Sequence, residues 1–265
     1  MGAATGLPEF GGFANIESMQ NFSATIARKI AILLLGWLAS FAPLVSAQNT
    51  VLKPNTTAQR KPVFVHYMPW FISQPVRGEW GWHWTMDRCN PDKFLPDGQR
   101  EIASHFYPVI GPYDSSDPDL IEYHLQLMKL AGVDGVIADW YGTQDFGDYR
   151  RTHKATQQLF KCCRRFGMKF ALCYEDQSVA QSVRKGLFSP TNAVDQTREM
   201  FRWVETNWFN DPSYARVNDR PVLLVFGPQY FSQADEWRAI FAPLKTKPFF
   251  CILNAPQAGA DGVFG

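Results

Sequence analysis

Apolar segments alternate with amphipathic ones from residue 63 to the C-terminus. Five segments are apolar along almost their whole length: VFVHYMPWF, VDGVIADW, MKFALCYED, RPVLLVFG and PFFCILN. Strands without a polar face belong to parallel sheets that helices cover on the outside. The pattern therefore predicts an α/β fold with a parallel sheet, and GVFG near the C-terminus indicates a sixth strand.

Amphipathic helices are predicted between these strands, over residues 117–131, 149–166, 193–208 and 233–244. In the first of them, Asp117 is a preferred N-cap residue, Pro118 suits the first turn and Gly132 ends the helix. A long loop, residues 72–116, separates the first strand from this helix. The apolar residues that we expect on its buried face are Leu120, Ile121, Leu127, Leu130 and Ala131.

Two architectures contain such alternating units, the (β/α)₈ TIM barrel and the open doubly wound sheet. No GxGxxG sequence follows any of the strands, which disfavours a dinucleotide-binding doubly wound fold. Acidic and aromatic residues stand at several strand ends, and a barrel brings the ends of its strands together at one rim. We therefore predict the (β/α)₈ TIM-barrel type with only about the first five or six βα units present, in a chain truncated at its C-terminus.

Composition places the chain among ordinary globular proteins, with 46% hydrophobic and 19% charged residues and a formal net charge of +1. This balance gives no reason to expect nucleic acid or an anionic membrane surface as a partner, and we expect a monomer. Nine Trp residues, within an aromatic content of 15%, are more than packing normally needs. Some of them should therefore be displayed at the surface.

Residues 1–47 have the pattern of a secretory signal peptide. Two basic residues precede the apolar run IAILLLGWLASFAPLV, which ends at the small residues of VSA. The run is shorter than the roughly 20 residues of a membrane-spanning helix, although an uncleaved N-terminal anchor is the alternative. A start at Met19 would give a more usual signal length. We expect a secreted or periplasmic protein with a linker over residues 48–62 and a partial barrel domain over residues 63–265.

The five cysteines have no CxxC spacing, so we expect no zinc site and no other metal. Cys173 and Cys251 fall inside predicted strands and are expected to be buried thiols. A disulfide between Cys89 and either Cys162 or Cys163 is a further hypothesis.

Carboxylates stand beside aromatic rings at the C-terminal ends of the predicted strands. In a barrel these side chains would converge on one rim, where carboxylates hydrogen-bond sugar hydroxyls and rings lie against the C–H face of a sugar. Structural interpretations remain open: Asp139 could cap the next turn, Glu175–Asp176 could be a solvated loop pair, and His66 could be a core histidine. The candidate set is His66, Tyr67, Trp70, Asp139, Trp140, Tyr141, Tyr174, Glu175 and Asp176.

The loop sequence GEWGWHWTM places Trp80, Trp82 and Trp84 at alternate positions. In an extended segment, alternation puts three side chains on one face. The loop is then either a platform for a sugar or a lid that folds onto the barrel.

Three segments carry a resemblance: HYMPWF, IGPYDSSDPDLIEYHLQLMKLAGVDGVIADWYG and YARVNDRPVLLVFGP. Together they resemble the glycoside hydrolase family 71/99-like proteins, a group that includes endo-α-mannosidases and α-1,3-glucanases. The resemblance extends from residue 63 to the end of the chain, and its most specific part runs from GPYDSSDP to the acid–tryptophan pair. It implies a (β/α)₈ barrel outside the cytoplasm that cleaves glycosidic bonds without a metal or an organic cofactor.

The resemblance also implies roles for the matching strand ends. The positions that would line the sugar pocket are His66, Tyr67, Trp70, Asp139, Trp140, Tyr174 and Glu175. The catalytic acids of such families lie on a late strand in a Trp-Asn-Glu/Asp type motif, which this sequence lacks. We therefore expect the catalytic pair beyond Gly265, and in the alternative Asp139 and Glu175 are themselves the pair. Two functions follow: an exported glycosidase for an α-mannan or α-glucan type substrate, or a carbohydrate-binding protein that uses the same cleft without catalysis.

Overall fold

A computed structural model describes residues 60–254 and 259–265 of the chain. The predicted signal peptide and almost all of the predicted linker lie outside the described residues. The strands are β1 (Phe64–Tyr67), β2 (Gly135–Trp140), β3 (Lys169–Tyr174), β4 (Arg216–Val217), β5 (Arg220–Val225), β6 (Phe249–Leu253) and β7 (Gly262–Phe264). The α-helices are α1 (Gln74–Arg77), α2 (Trp82–Thr85), α3 (Pro118–Leu130), α4 (Tyr149–Phe166), α5 (Gln177–Arg184), α6 (Ala193–Val204) and α7 (Ala234–Phe241).

The sheet has the order β1-β2-β3-β5-β6-β7, and each neighbouring pair in this order is parallel. The short strand β4 is off this path and forms an antiparallel hairpin with β5. The sheet is curled into part of a barrel. Although β1 and β7 are at opposite ends of the strand order, the ring of His66 on β1 lies 6.1 Å from the ring of Phe264 on β7. The predicted parallel α/β barrel with six strands is confirmed.

The two faces of the curled sheet differ in burial. Side chains alternate along each strand, so every second residue faces the surrounding helices. The helix-facing residues are fully or almost fully buried and form the main hydrophobic core: Tyr67, Val136, Ala138, Trp140, Phe170, Leu172, Tyr174, Leu223, Val225, Phe250 and Ile252. The other face, called the inner face below, is partly open, as Phe226 on this face is 42% exposed.

Helices α3 and α4 begin and end where the sequence predicts. The Asp117 carboxylate accepts hydrogen bonds from the backbone N–H groups of Asp119 and Leu120, which caps α3. Helix α4 ends at Gly167, which adopts the left-handed conformation with φ of 64°. The predicted buried face of α3 is only partly right, because Leu127 and Leu130 are 47% and 85% exposed.

Three features were not predicted. Helix α5 follows β3 almost directly, with Asp176 at its N-cap position. The helix predicted over residues 193–208 changes at Glu205–Phe209 into a π-helical turn. The loop of residues 72–116 contains the short helices α1 and α2.

The long loop closes on itself at its base. Phe71 N–H donates to the Ser115 hydroxyl at 3.1 Å, and Ser115 N–H donates to the Phe71 carbonyl at 2.8 Å. Next to this pair, Ser73 N–H donates to the Asp114 carboxylate at 3.1 Å. Asp114 is buried and also accepts hydrogen bonds from Ser116, so the carboxylate ties both ends of the loop together.

All five cysteines are free thiols, which corrects the disulfide hypothesis for Cys89. Cys173 is buried as expected, whereas Cys251 is only half-buried, so the expectation for Cys251 is wrong. In residues 60–254 and 259–265, no group of three His, Cys, Asp or Glu side chains could hold a metal ion. In the same part of the chain, none of the helices has the length and apolar character to cross a membrane.

Candidate functional site

Asp139 and Glu175 form the centre of the inner face. Asp139 is the next-to-last residue of β2 and Glu175 follows β3, where its N–H donates to the Trp140 carbonyl at 2.9 Å. Only 4% of Asp139 and 6% of Glu175 is exposed. The two carboxyl groups are in hydrogen-bond contact, and Asp139 Oδ1 has no donor among the described residues. Two carboxyl groups this close together retain a proton.

The proton is best assigned to Asp139. Burial raises the pKa of Asp139 well above its usual range, and the neighbouring Glu175 carboxyl raises it further. The hydrogen bond from the Trp140 backbone opposes this rise. Asp139 is therefore a neutral acid at physiological pH and donates its proton to the hydrogen bond with Glu175.

Two side chains next to the pair constrain it. Gln177, in the first turn of α5, donates its Nε2–H to Glu175 Oε2 and so orients that carboxyl group. Cys173 lies on the inner face in register with Asp139. Burial and the adjacent carboxyl groups raise the pKa of the Cys173 thiol, so this cysteine is not a thiolate nucleophile.

A stack of rings borders the carboxyl pair. Tyr141 follows Asp139 on the same face, and its ring is stacked on Trp70 at 5.9 Å with an interplanar angle of 11°. Trp70 is stacked in turn on His83 at 4.3 Å and 9°. The ring of Tyr149 lies 4.8 Å from Tyr141, and Nε2 of His83 lies 3.3 Å from a carboxylate oxygen of Asp148. The stack provides a rigid apolar surface next to two polar acids, as aromatic rings lose little conformational freedom on binding.

Five of the predicted site residues lie on the inner face or at its rim: His66, Trp70, Asp139, Tyr141 and Glu175. His66 pairs with Ile137, so it faces the same side as Asp139 from one strand away. Burial lowers the pKa of His66, and its ring lies against Phe264.

Three other predicted residues, Tyr67, Trp140 and Tyr174, face the helices instead. Each is adjacent in sequence to an inner-face residue, and neighbouring side chains on a strand point to opposite faces. The Tyr67 hydroxyl hydrogen-bonds His124 Nδ1 at 3.0 Å, and the Trp140 indole N–H donates to His153 Nδ1 at 3.2 Å. All three rings are buried in the core. Their assignment as sugar-binding residues is therefore corrected: they support the site from behind.

Asp176 is an anchor for the chain that follows β5, not part of the inner face. Its carboxylate is fully buried and accepts hydrogen bonds from the backbone N–H groups of Gln229, Tyr230 and Phe231 at 2.7, 2.8 and 2.9 Å. Both carboxylate oxygens accept from this segment, so the predicted role of Asp176 as a substrate contact does not fit its position.

The tryptophan-rich loop does not form a sugar platform. Residues 82–85 form the helical turn α2, so alternate indoles cannot share one face. Trp84 is 1% exposed and donates its indole N–H to the Tyr113 carbonyl, whereas Trp82 is 51% exposed. Trp80 lies half-buried against the Arg100 guanidinium. The loop contributes His83 to the ring stack instead.

Sequence reasoning missed three residues at the site: His83, Tyr149 and Gln177. Gln177 stands two positions after Glu175, and a helix beginning at that point would have placed its amide next to the carboxyl group. Tyr149 was assigned only to the start of a helix, and His83 only to the loop. Their side chains reach the site through tertiary packing, for which a single sequence gives no signal.

Comparison with known proteins identifies a family. Residues 60–249 match the sequence model of glycosyl hydrolase family 99. The mouse glycoprotein endo-α-1,2-mannosidase is 23% identical over 235 residues, which cover 76% of this chain and 48% of the mouse protein. The rat glycoprotein endo-α-1,2-mannosidase is 33% identical over 200 residues, which cover 68% of this chain and 40% of the rat protein. The chain thus spans less than half the length of these relatives.

Solved structures agree on the fold. A family 99 endo-α-mannosidase from Bacteroides thetaiotaomicron superposes with a TM-score of 0.55 at 22% identity, over 76% of this chain and 57% of that one. A second structure of the endo-α-mannosidase from this organism gives a TM-score of 0.53 at 20% identity, over 76% and 60% of the two chains. The curled sheet is accordingly part of the (β/α)₈ barrel of this group.

Proposed function

The chain belongs to glycosyl hydrolase family 99, and from this premise we propose that its inner face binds a saccharide substrate of a glycosidase. The observation that supports the proposal is the buried Asp139–Glu175 carboxyl pair beside the Tyr141–Trp70 ring stack. The proton of Asp139 is shared with Glu175, so the unpartnered Asp139 Oδ1 accepts from one sugar hydroxyl and Glu175 accepts from another. The rings cover the apolar side of the sugar.

The spacing of the pair favours binding over a role as the catalytic dyad. In a retaining glycosidase the two carboxyl groups are about 5–5.5 Å apart, and in an inverting one about 6.5–9.5 Å, so that a sugar or a water fits between them. The hydrogen bond between Asp139 and Glu175 leaves no room for a sugar or a water between the two carboxyl groups. We therefore assign both to substrate binding rather than to the catalytic pair.

The substrate class and location belong to the same proposal. The matched mouse and rat proteins are named endo-α-1,2-mannosidases, so an α-linked mannoside is the first substrate to test. The pattern of residues 1–47 supports export, which would bring the protein to extracellular or periplasmic saccharides. A carbohydrate-binding protein without catalysis is the second candidate. It is favoured by the same hydrogen bond between Asp139 and Glu175.

Paired substitutions at the C-terminal end of β3 test the inner face. We expect Glu175→Gln to weaken the binding of an α-1,2-linked mannose oligosaccharide by roughly tenfold or more, because a hydrogen bond to a charged group contributes about 1.5–3 kcal/mol. The affinity is measured by isothermal titration calorimetry. The matched control is Tyr174→Phe, which changes the neighbouring residue on the opposite face and should leave affinity unchanged.

Hydrolysis of the same oligosaccharide distinguishes a glycosidase from a carbohydrate-binding protein. Release of mannose-containing products by the full chain favours the glycosidase, and binding without product favours the carbohydrate-binding protein. Equal affinities for the wild type and Glu175→Gln would exclude the inner face as the binding site.

A further inference from the structure

A cavity lies on the helix side of the sheet, opposite the inner face. It has a volume of about 400 Å³ and opens between α4 and α6, next to the loop that follows β2. This volume falls within the ~300–1,000 Å³ typical of small-molecule sites. The residues that carry the argument are Thr143, His153, Phe188, Gln196, Glu199 and Trp203.

The cavity is separate from the inner-face site. Trp140, whose neighbour Asp139 faces the inner side, lies between the sheet and His153 and donates its indole N–H to His153 Nδ1 at 3.2 Å. An indole nitrogen can only donate, so Nδ1 is the acceptor and the proton of the neutral imidazole is on Nε2. Burial lowers the pKa of His153 to about 4, which keeps the ring neutral at physiological pH. Nε2–H therefore remains a donor, and it has no acceptor within the described part of the chain.

Helix α6 presents the complementary groups. Gln196, Glu199 and Trp203 are three and four residues apart, so they share one face of the helix. Gln196 and Glu199 are exposed, whereas Trp203 is half-buried and its ring lies 4.9 Å from that of His153. The face combines an amide, a carboxylate and an indole with the histidine donor opposite.

These groups favour a neutral ligand with hydroxyl groups. A hydroxyl accepts from His153 Nε2–H and donates to Glu199, whose carboxylate is paired with Arg202 at 2.9 Å. Because this ion pair offsets the charge of Glu199 and His153 is neutral, the lining has no net charge to attract an ion. Trp203 and Phe188 add apolar surface, which suits the C–H face of a sugar ring.

We propose that this cavity is a second saccharide-binding site, which takes one neutral sugar residue against Trp203 with its hydroxyl groups on His153, Gln196 and Glu199. The site is independent of the roles assigned to Asp139 and Glu175. It gives the protein a saccharide contact on the outside of the barrel, behind the strand that carries the inner-face acid.

The full chain with ¹⁵N-labelled tryptophan tests the proposal by NMR titration. The probe is methyl α-D-mannopyranoside, and Trp203→Phe assigns the indole resonance. We expect a saturable shift of the Trp203 indole signal with a dissociation constant in the millimolar range. A shift that does not saturate, or none at all, overturns the proposal.

Variants in the cavity and outside it make the test specific. Gln196→Ala should weaken the affinity reported by Trp203 roughly threefold to tenfold, as expected for one lost hydrogen bond. Gln157→Ala removes another exposed glutamine, from α4 outside the cavity, and should change nothing. Glu175→Gln should leave the Trp203 titration intact, so failure of the inner-face proposal is distinguished from failure of this one. Loss of the Trp203 titration in Glu175→Gln, or an unchanged affinity in Gln196→Ala, contradicts it.

Discussion

Asp139 and Trp140 are adjacent on one strand and have opposite surroundings. The carboxyl group of Asp139 faces the inner side and Glu175, and the Trp140 indole is buried among rings on the helix side. The first arrangement disfavours the ionised acid, while the second contributes apolar burial and a hydrogen bond. Asp139 therefore serves binding, whereas its neighbour Trp140 serves stability.

Asp139→Asn should stabilise the folded protein at neutral pH. The folded pKa of Asp139 lies above its unfolded value of about 3.9, so the folded state binds this proton more tightly. The contribution of Asp139 to stability is then most favourable below the unfolded pKa and is lost as pH rises towards the folded pKa. Asn does not titrate, so the variant should have a higher free energy of unfolding at pH 7 and a flatter dependence on pH above about 4.

Urea denaturation at a series of pH values measures this effect. Asp97→Asn, at an exposed position of the long loop, is the matched control and should follow the wild type. A variant Asp139→Asn that is less stable than the wild type at pH 7 would show that the acid does not hold a proton there.

Asp176→Ala should destabilise the protein by about 3 kcal/mol or more. The substitution removes the acceptor of three buried backbone N–H groups, and each buried donor without a partner costs about 1–3 kcal/mol. Asp145→Ala removes only a surface ion pair with Arg150 and should cost less than about 1 kcal/mol. Chemical denaturation of both variants measures the difference, and similar losses would remove the anchor role of Asp176.

At the scale of elements, the N-cap of α3 makes a further prediction. Asp117→Ala should lower the free energy of unfolding by about 1 kcal/mol, because the first-turn N–H groups of Asp119 and Leu120 lose their acceptor. Asp117→Asn keeps an oxygen at the same place and should cost only a few tenths of that. Thermal melts monitored by circular dichroism compare the two, and equal melting temperatures for both variants would argue against a capping role.

The elements that the sequence predicts well are those with local signals. Asp117-Pro118 and Gly132 bound α3, Gly167 ends α4, and continuous apolar runs mark the strands. The site was harder to predict because moving one residue along a strand moves the side chain to the opposite face of the sheet. His66 and Tyr67, for example, both stand at one strand end, yet only His66 faces the inner side.

The tryptophan-rich loop shows the other limit of local reasoning. Alternation of Trp80, Trp82 and Trp84 predicts a common face only if the backbone is extended, and here it turns into α2. Nothing in the nine residues of that loop sequence distinguishes the two conformations. The turn is fixed by long-range contacts, such as the hydrogen bond from Trp84 to the Tyr113 carbonyl.

At the scale of the whole molecule, the curled sheet has two edge strands within the described residues, β1 and β7. The strands between them bury their helix-facing side chains completely, whereas β7 has three residues and its Val263 is 50% exposed. Local opening should therefore be easiest at β7. We expect amide hydrogen exchange to be slowest in β2 and β3 and fastest in β7, as measured by mass spectrometry. Equal protection of β7 and β3 would mean that an additional contact covers the edge.

The hydrogen bonds between Phe71 and Ser115 have a consequence for diversification of this scaffold. The polypeptide leaves the barrel at Phe71 and rejoins it at the adjacent Ser115. The segment between these two residues can therefore be exchanged as one unit, called the cassette. Recombining that cassette between homologues would alter the ring layer contributed by His83 while the strand register stays untouched. Ligand preference could then drift quickly in evolution, or be swapped in the laboratory, without rebuilding the framework.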